Sequence, residues 1–259
     1  MSSVNAPSAE LPMIFFVPGA WHGPWVFDQT RHILSERGFD TATSDLRTVE
    51  SNDASIGVQD DANHVRSALT KLIDMGKEII VVAHSYGGII AANSIDPSLG
   101  IKQRAADSCK GGVILVLLLA AFAIPKNTSL LDNIGGKLLP WWDAKEEGFL
   151  TVKNPFDVFY HDVQPYLAAE AVAALKRMPY RFITDVSTCE SWNDGIDFGY
   201  IFAEEDQAIP FGAQGVMFSR LPQDSFSVTL KTSHSPFLSK PDAVVDAIES
   251  AVQFLSRKK

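Results

Sequence analysis

The feature that most constrains this fold is a buried strand that runs through a tight turn directly into a helix. Residues 78–83 read EIIVVA, an apolar run typical of a strand covered on both faces, and residues 86–95 form a helix of small and apolar residues. Between them, Ala83 and Gly87 stand two positions before and after Ser85. Small residues there let two backbones approach closely and expose the serine hydroxyl at the end of a sheet. We therefore predict that Ser85 is a nucleophile.

Similar apolar runs alternate with helical segments along most of the chain. The predicted strands are residues 13–17, 39–44, 78–83, 112–119, 198–203 and 225–230. The predicted helices are residues 24–37, 58–75, 86–95, 164–178, 211–220 and 241–255. This order predicts an α/β fold with a mostly parallel sheet flanked by helices.

The middle of the chain breaks the alternation. Residues 123–192 carry scattered aromatic side chains, one good helix and no strand as clean as the earlier ones. We predict a single domain over residues 1–259, with a helical cap at 123–192 inserted after the fourth predicted strand.

Composition narrows the function classes. The chain has 259 residues, 46% of them hydrophobic and 20% charged, which suits a globular protein that needs no metal or disulfide to fold. The net charge of −9 argues against nucleic acid or an anionic membrane as a partner. Cys109 and Cys189 form no CxxC pair, and no His/Cys cluster has metal-binding spacing. We expect no metal and no cofactor.

Targeting signals are not evident. Residues 1–12 lack a positive segment followed by an apolar core, and the longest apolar run, 113–124, is shorter than the roughly 20 residues of a membrane span. We expect a soluble cytoplasmic protein, monomeric or homodimeric, whose partner is a small-molecule substrate.

A nucleophilic serine needs a base and an acid that orients it. Of six histidines, His161 and His234 follow Ser85 at a plausible distance. His161 falls in the predicted cap, whereas His234 follows the last strand, from which a side chain can reach back over the sheet. Glu204, Glu205 and Asp206 all follow the strand at 198–203, and we favour Asp206 because it lies farthest past the strand end.

Backbone N–H groups must also face the charge that develops on the carbonyl oxygen. One donor should be Tyr86, directly after Ser85, and the other Ala20, in the loop after the first strand. We expect His22 to brace this loop by hydrogen bonds rather than act as a second base. The candidates for substrate contact are Gly19, Trp21, His22 and Trp141.

Taken together, these motifs resemble the α/β-hydrolase superfamily. They are the loop VPGAWHGPW at 17–25, HSYGG at 84–88, Asp206 with Ile209-Pro210, and HSPF at 234–237. The loop at 17–25 resembles the esterase branch that includes plant methylesterases, hydroxynitrile lyases and related microbial esterases. The resemblance implies an α/β-hydrolase fold, with Ser85 as nucleophile, Asp206 as acid, His234 as base, and Ala20 and Tyr86 as oxyanion donors.

Departures from the family pattern bear on the chemistry. Ala83 and Pro18 stand where relatives usually have Gly and His. The hydroxynitrile lyases have Thr at the position of Gly19 and Lys at that of Ser235, which argues against cyanohydrin cleavage. Epoxide hydrolases and haloalkane dehalogenases of the superfamily carry Asp at the position of Ser85, so the serine argues against both activities.

The sequence therefore predicts a serine hydrolase, a carboxylesterase or lactonase, for a small-to-medium apolar ester. Two alternatives stay open. One is a non-hydrolytic or C–C-bond-cleaving enzyme using the same pocket, such as a lyase, isomerase or cyclase of a biosynthetic pathway. The other is a small-ligand receptor without catalysis.

Overall fold

A parallel β-sheet forms the centre of the molecule. The computed structural model describes residues 11–258, so most of the N-terminal segment considered above lies outside the described residues. Six strands in the order β2-β1-β3-β4-β8-β9 are all parallel to their neighbours. They are β1 Met13–Val17, β2 Thr41–Thr43, β3 Glu78–His84, β4 Gly112–Leu119, β8 Phe198–Ala203 and β9 Phe226–Leu230.

Helices cover the sheet, as the alternating pattern predicts. The α-helices outside residues 120–197 are α1 Asp28–Glu36, α2 Val58–Asp74, α3 Gly87–Ser94, α4 Ile101–Ala106, α9 Phe211–Phe218, α10 Pro236–Ser239 and α11 Pro241–Lys258. The α/β fold class predicted from the sequence is confirmed. The central strands are almost wholly buried because they are apolar on both faces; only Glu78 of β3 is exposed.

The segment between β4 and β8 combines short helices with a second sheet. Its helices are α5 Leu130–Asn133, α6 Pro155–Phe159, α7 Pro165–Ala174 and α8 Arg181–Thr184. Its antiparallel sheet consists of β5 Trp142–Asp143, β6 Phe149–Val152 and β7 Met178–Pro179, in that order. The sequence did not predict these three short strands.

The helix predicted at 164–178 ends at Ala174. Leu175 already has an extended backbone, with ψ of 138°. Beyond it, the Lys176 N–H donates to the Trp21 carbonyl, and Met178 pairs with Leu150 of β6. Pro179 favours an extended conformation in the residue before it. Tertiary pairing therefore replaces the last turn of the predicted helix.

Parallel strands place their carboxyl ends on one edge of the sheet. The loops after β1, β3, β8 and β9 leave from this edge and contain Ala20, Ser85, Asp206 and His234 respectively. Open α/β sheets bind ligands in the crevice at this edge, near the strand where the order reverses. Here that strand is β1, which lies between β2 and β3.

Within residues 11–258, no helix is long and apolar enough to cross a membrane.

Gly87 provides a test of how tightly the turn after β3 packs. A Cβ there would lie 2.6 Å from the Pro18 carbonyl oxygen and 2.7 Å from that of Val17, both backbone atoms. We predict that Gly87→Ala lowers the free energy of unfolding by about 1–3 kcal/mol in urea titrations.

The matched control is Gly215→Ala in α9, where an added Cβ meets nothing within 4 Å. Because alanine is the better helix former, this variant should be more stable than the wild type by about 0.5–1 kcal/mol. Equal effects of the two substitutions would contradict the packing argument.

Candidate active site

Ser85 occupies a strained turn between β3 and α3. Its φ of 53° lies in the left-handed region, which costs a non-glycine residue about 1–2 kcal/mol. Its N–H donates to the Leu119 carbonyl at 3.3 Å, and its own carbonyl accepts from Gly88 N at 3.0 Å and from Phe122 N at 3.1 Å. Three backbone hydrogen bonds from two neighbouring segments thus hold the turn that presents the hydroxyl.

Asp206 and His234 form a buried pair at the same edge of the sheet. The His234 Nδ1–H donates to Asp206 Oδ2 at 2.7 Å, and both side chains are almost fully buried. The other carboxylate oxygen, Oδ1, accepts from the N–H groups of Ala208 at 2.7 Å and Ile209 at 2.9 Å. Because the carboxylate fixes the proton on Nδ1, the Nε2 atom of His234 is left as a proton acceptor.

His84 links the serine turn to the histidine loop. Its Nε2–H donates to the His234 carbonyl at 2.9 Å, and the two imidazole rings lie 4.5 Å apart between centroids. Across the described residues, no hydrogen bond joins the Ser85 hydroxyl to His234 itself. Catalytic hydrogen bonds often form only when substrate is bound, so the lack of this bond does not argue against proton transfer.

Two backbone N–H groups beside Ser85 are free. Neither Ala20 N nor Tyr86 N donates to any acceptor among residues 11–258, and both residues line the same cavity as Ser85. Gly19 allows this approach, since a Cβ there would lie 2.8 Å from His84 Nδ1 and 2.9 Å from Ser85 Cβ. The two N–H groups are therefore available to an oxyanion.

His22 is held as a neutral brace. Its Nδ1–H donates to the Ala20 carbonyl at 2.7 Å, and its Nε2 accepts from the Tyr160 hydroxyl at 2.7 Å. Burial lowers the pKa of His22 to about 4, with a smaller contribution from His234. Both ring nitrogens are engaged, as expected of a residue that fixes the loop rather than one that moves a proton.

The cavity beside Ser85 is lined by apolar and aromatic side chains. The lining residues are Ala20, Trp21, Ser85, Tyr86, Phe122, Leu130, Trp141, Trp142, Phe182, Ala208 and Ile209. Trp21 and Trp141, two of the predicted substrate contacts, are among them. Gly19 and His22 are not: Gly19 packs on Ser85, and His22 is turned toward Tyr160.

Sequence reasoning missed Trp142 and Phe182 in this wall. Both lie in the segment between β4 and β8, where no motif marks a position. Trp142 adjoins the predicted Trp141, but nothing in the sequence says which of the two indoles is the more buried. The structure leaves Trp142 only 4% exposed, whereas Trp141 is half-buried.

Asp61 is a second residue that the motif search did not find. This fully buried carboxylate of α2 accepts from Thr48 N at 2.9 Å, from the Thr48 hydroxyl at 2.6 Å and from the Tyr86 hydroxyl at 3.1 Å. It thereby anchors the residue that follows the serine. A signal did exist, because Asp61 falls between Val58 and Val65 on the apolar face of α2.

The segment between β4 and β8 also holds the two loops around Ser85. The Trp21 indole N–H donates to the Leu150 carbonyl at 3.1 Å. On the other side, Ser233 N donates to Asp162 Oδ2, and the Ser233 hydroxyl donates to the Phe159 carbonyl, both at 3.0 Å. The loop that carries Ala20 and the loop that carries His234 thus depend on this segment for their positions.

No group of three or more His, Cys, Asp or Glu side chains that could hold a metal ion occurs among residues 11–258. Both cysteines are free thiols, Cys109 exposed and Cys189 partly buried.

Comparison with known proteins identifies the family of this chain. A family model described as "Alpha/beta hydrolase family" matches residues 14–247. Alpha/beta hydrolase nvfD of Aspergillus novofumigatus (strain IBT 16806) is 25% identical over 245 residues, covering 93% of this chain and 96% of its own. Norfluorocurarine synthase 2 of a Strychnos species is 24% identical over 256 residues, covering 90% of this chain and 92% of its own.

Among solved structures, a methylesterase from Arabidopsis has the same fold. It superposes with a TM-score of 0.68 at 20% sequence identity, covering 93% of this chain and 99% of its own.

Asp61 gives a pH-dependent test of the anchor at Tyr86. Burial raises the pKa of Asp61 from 3.8 to about 6, although the hydrogen bonds from Thr48 and Tyr86 oppose the shift. The folded state therefore favours the protonated carboxyl. The stability that Asp61 contributes is full below pH 3.8 and is lost, by about 3 kcal/mol, as the pH rises through about 6.

Asp61→Asn removes this titration. We predict that the free energy of unfolding of wild type, relative to that of the variant, is highest near pH 4 and falls by about 3 kcal/mol toward pH 7. Urea unfolding of both proteins across that pH range measures this change. A difference that stays constant with pH would contradict the raised pKa.

Proposed function

Because the chain belongs to the alpha/beta hydrolase family, we propose that it is a serine hydrolase that cleaves a small-to-medium apolar carboxylic ester or lactone. The reaction would pass through an acyl-enzyme on Ser85. The observation that carries this proposal is the buried pair of His234 Nδ1 and Asp206 Oδ2, 2.7 Å apart, at the edge of the sheet where Ser85 projects.

In the first half-reaction, the Ser85 Oγ attacks the ester carbonyl carbon and its proton passes to Nε2 of His234. Asp206 stabilises the imidazolium that forms, since it accepts from Nδ1. The free N–H groups of Ala20 and Tyr86 receive the negative charge on the former carbonyl oxygen. Losing one such donor typically costs about 2.7–4 kcal/mol of transition-state stabilisation.

The tetrahedral intermediate then collapses. The bond to the alcohol oxygen breaks, and the Nε2–H of His234 protonates that oxygen as it leaves. In the second half-reaction, His234 takes a proton from water, the resulting hydroxide attacks the acyl carbon, and Ser85 leaves with the proton returned to its oxygen. The products are an alcohol and a carboxylic acid, or a hydroxy acid from a lactone.

The wall of the cavity supports an apolar substrate. No lysine, arginine, aspartate or glutamate side chain lines it within the described residues. An ionic group would lose its hydration there without gaining a partner, which is costly. The oxyanion must instead form against backbone dipoles, which act most strongly in such a dry environment.

We also propose that residues 123–192 act as a cap that opens for substrate. The free space beside Ser85 is only about 10 Å³, less than an ester requires. Leu130, Trp141, Trp142 and Phe182, all within 123–192, contribute the part of the wall that would have to move.

The cytoplasmic location, a small molecule as the partner and a monomeric or homodimeric state remain proposals from the sequence.

A second candidate is a non-hydrolytic or C–C-bond-cleaving enzyme that uses the same pocket. It is favoured by the 24% identity to a relative named norfluorocurarine synthase 2. The two candidates differ in their need for the serine. If Ser85→Ala retains turnover of the physiological substrate, the acyl-enzyme is excluded and the second candidate stands.

We predict that wild-type protein hydrolyses p-nitrophenyl esters of short and medium acyl chains. Ser85→Ala should lower kcat by at least about 10⁴-fold, because the nucleophile is lost. Asp206→Asn should lower kcat by about 10⁴-fold, because the amide no longer fixes the Nδ1 proton of His234.

Glu205→Gln is the matched acidic control. Glu205 lies one residue before Asp206, and its carboxylate is partly exposed and 3.7 Å from Lys231 Nζ. Surface pairs of this kind contribute little, so kcat should change less than about twofold. If Glu205→Gln were as damaging as Asp206→Asn, the assignment of the acid would be wrong.

A further inference from the structure

One side chain that lines the cavity beside Ser85 carries a buried donor that the reaction does not use. Trp142 lines this cavity, and its indole N–H is buried without a hydrogen-bond partner among residues 11–258. Apart from the half-buried Trp141, the other polar side chains of the wall have partners or a proposed role. The Trp21 indole N–H donates to Leu150, the Tyr86 hydroxyl donates to Asp61, and the Ser85 hydroxyl is the proposed nucleophile.

An unpaired indole N–H at such a position needs an explanation. Tryptophan that is buried as deeply as this, at 4% exposure, usually finds an acceptor, and unsatisfied buried groups are rare in folded proteins. The free space of about 10 Å³ in this conformation lies at the lower limit of what one water molecule needs. The acceptor is thus expected to come from the molecule that opens the cavity.

Trp141 makes an informative contrast. It lines the same cavity and its ring lies 5.6 Å from that of Trp142, but its side chain is half-buried. Its indole N–H makes no hydrogen bond within the described residues either, yet it has access to solvent. Of these two neighbouring indoles, only that of Trp142 lacks both a protein acceptor and water.

We propose that the indole N–H of Trp142 donates a hydrogen bond to an uncharged oxygen on the acyl group of the substrate. This inference rests on the proposed function of Ser85 and makes it more specific. The preferred substrates are esters or lactones whose acyl part carries an ether, ketone or hydroxyl oxygen away from the scissile carbonyl. A carboxylate there is disfavoured, because no cationic side chain lines the cavity within residues 11–258.

The kinetic test compares esters in which one CH₂ is replaced by oxygen. The pairs are p-nitrophenyl methoxyacetate and butyrate, 3-methoxypropanoate and pentanoate, and 4-methoxybutanoate and hexanoate. The leaving group is constant, and the intrinsic reactivity of each pair is corrected by its rate of hydrolysis by hydroxide. For at least one pair, wild type should favour the ether by about 3- to 10-fold in kcat/KM, the effect of one neutral hydrogen bond.

Trp142→Phe should abolish that preference, whereas Trp141→Phe, which removes an indole N–H from the same wall, should retain it. If the ratios are the same in wild type and Trp142→Phe for all three pairs, the proposal is overturned. It is also overturned if both variants lose the preference equally, because the effect would then reflect the shape of the wall rather than a hydrogen bond.

A binding measurement decides the proposal independently of turnover. The protein has five tryptophans, so ¹⁵N-labelled Ser85→Ala should give five indole cross-peaks, and the peak absent from Ser85→Ala/Trp142→Phe is that of Trp142. Titration with methyl 4-methoxybutanoate should move this peak downfield in ¹H, and methyl hexanoate should not. An unchanged peak, or equal shifts with both esters, contradicts the proposal even if ester hydrolysis is established. Absence of any ester hydrolysis by wild type, with the peak still moving, would contradict only the proposed function.

Discussion

The strained backbone of Ser85 is the constraint on which the rest of the site depends. A φ of 53° is unfavourable for serine. It persists because the end of β4 and the residues after it bind both backbone groups of Ser85, its N–H through Leu119 and its carbonyl through Phe122. The same turn starts α3, so the Tyr86 N–H is left unpaired next to the hydroxyl. In the proposed mechanism, this one turn supplies both the nucleophile and one of the two N–H donors to the oxyanion.

The remaining groups reach Ser85 because parallel strands end together and because the segment between β4 and β8 fixes their loops. Trp21, also in the left-handed region with φ of 65°, is tied to Leu150 and, through its carbonyl, to Lys176 N. Ser233 is tied to Asp162. A movement of this segment that admits substrate would therefore also act on the oxyanion loop and on the loop that carries His234. In this account, substrate entry and the geometry of catalysis are coupled.

The sequence predicted the sheet well and the segment between β4 and β8 poorly, for a physical reason. Continuous apolar runs predicted Gly112–Leu119, which begins after Gly111, and Phe198–Ala203, which stands between Asp197 and Glu204, to the residue. The strands β5 to β7 have only two to four residues each, and β6 pairs with β7, which is distant in the chain. Motifs likewise indicated Ser85, Asp206 and His234, whereas the aromatic wall has no fixed spacing and emerges only from packing.

Covalent labelling tests the central claim, an activated serine at the turn, most directly. Purified protein treated with a fluorophosphonate probe should gain the mass of one adduct, and peptide mapping should locate it on Ser85. Ser85→Ala should gain none, and His234→Asn should react much more slowly because the base is missing. No adduct on the folded wild-type protein, or an adduct on Ser233 or Ser235 instead, would contradict the account.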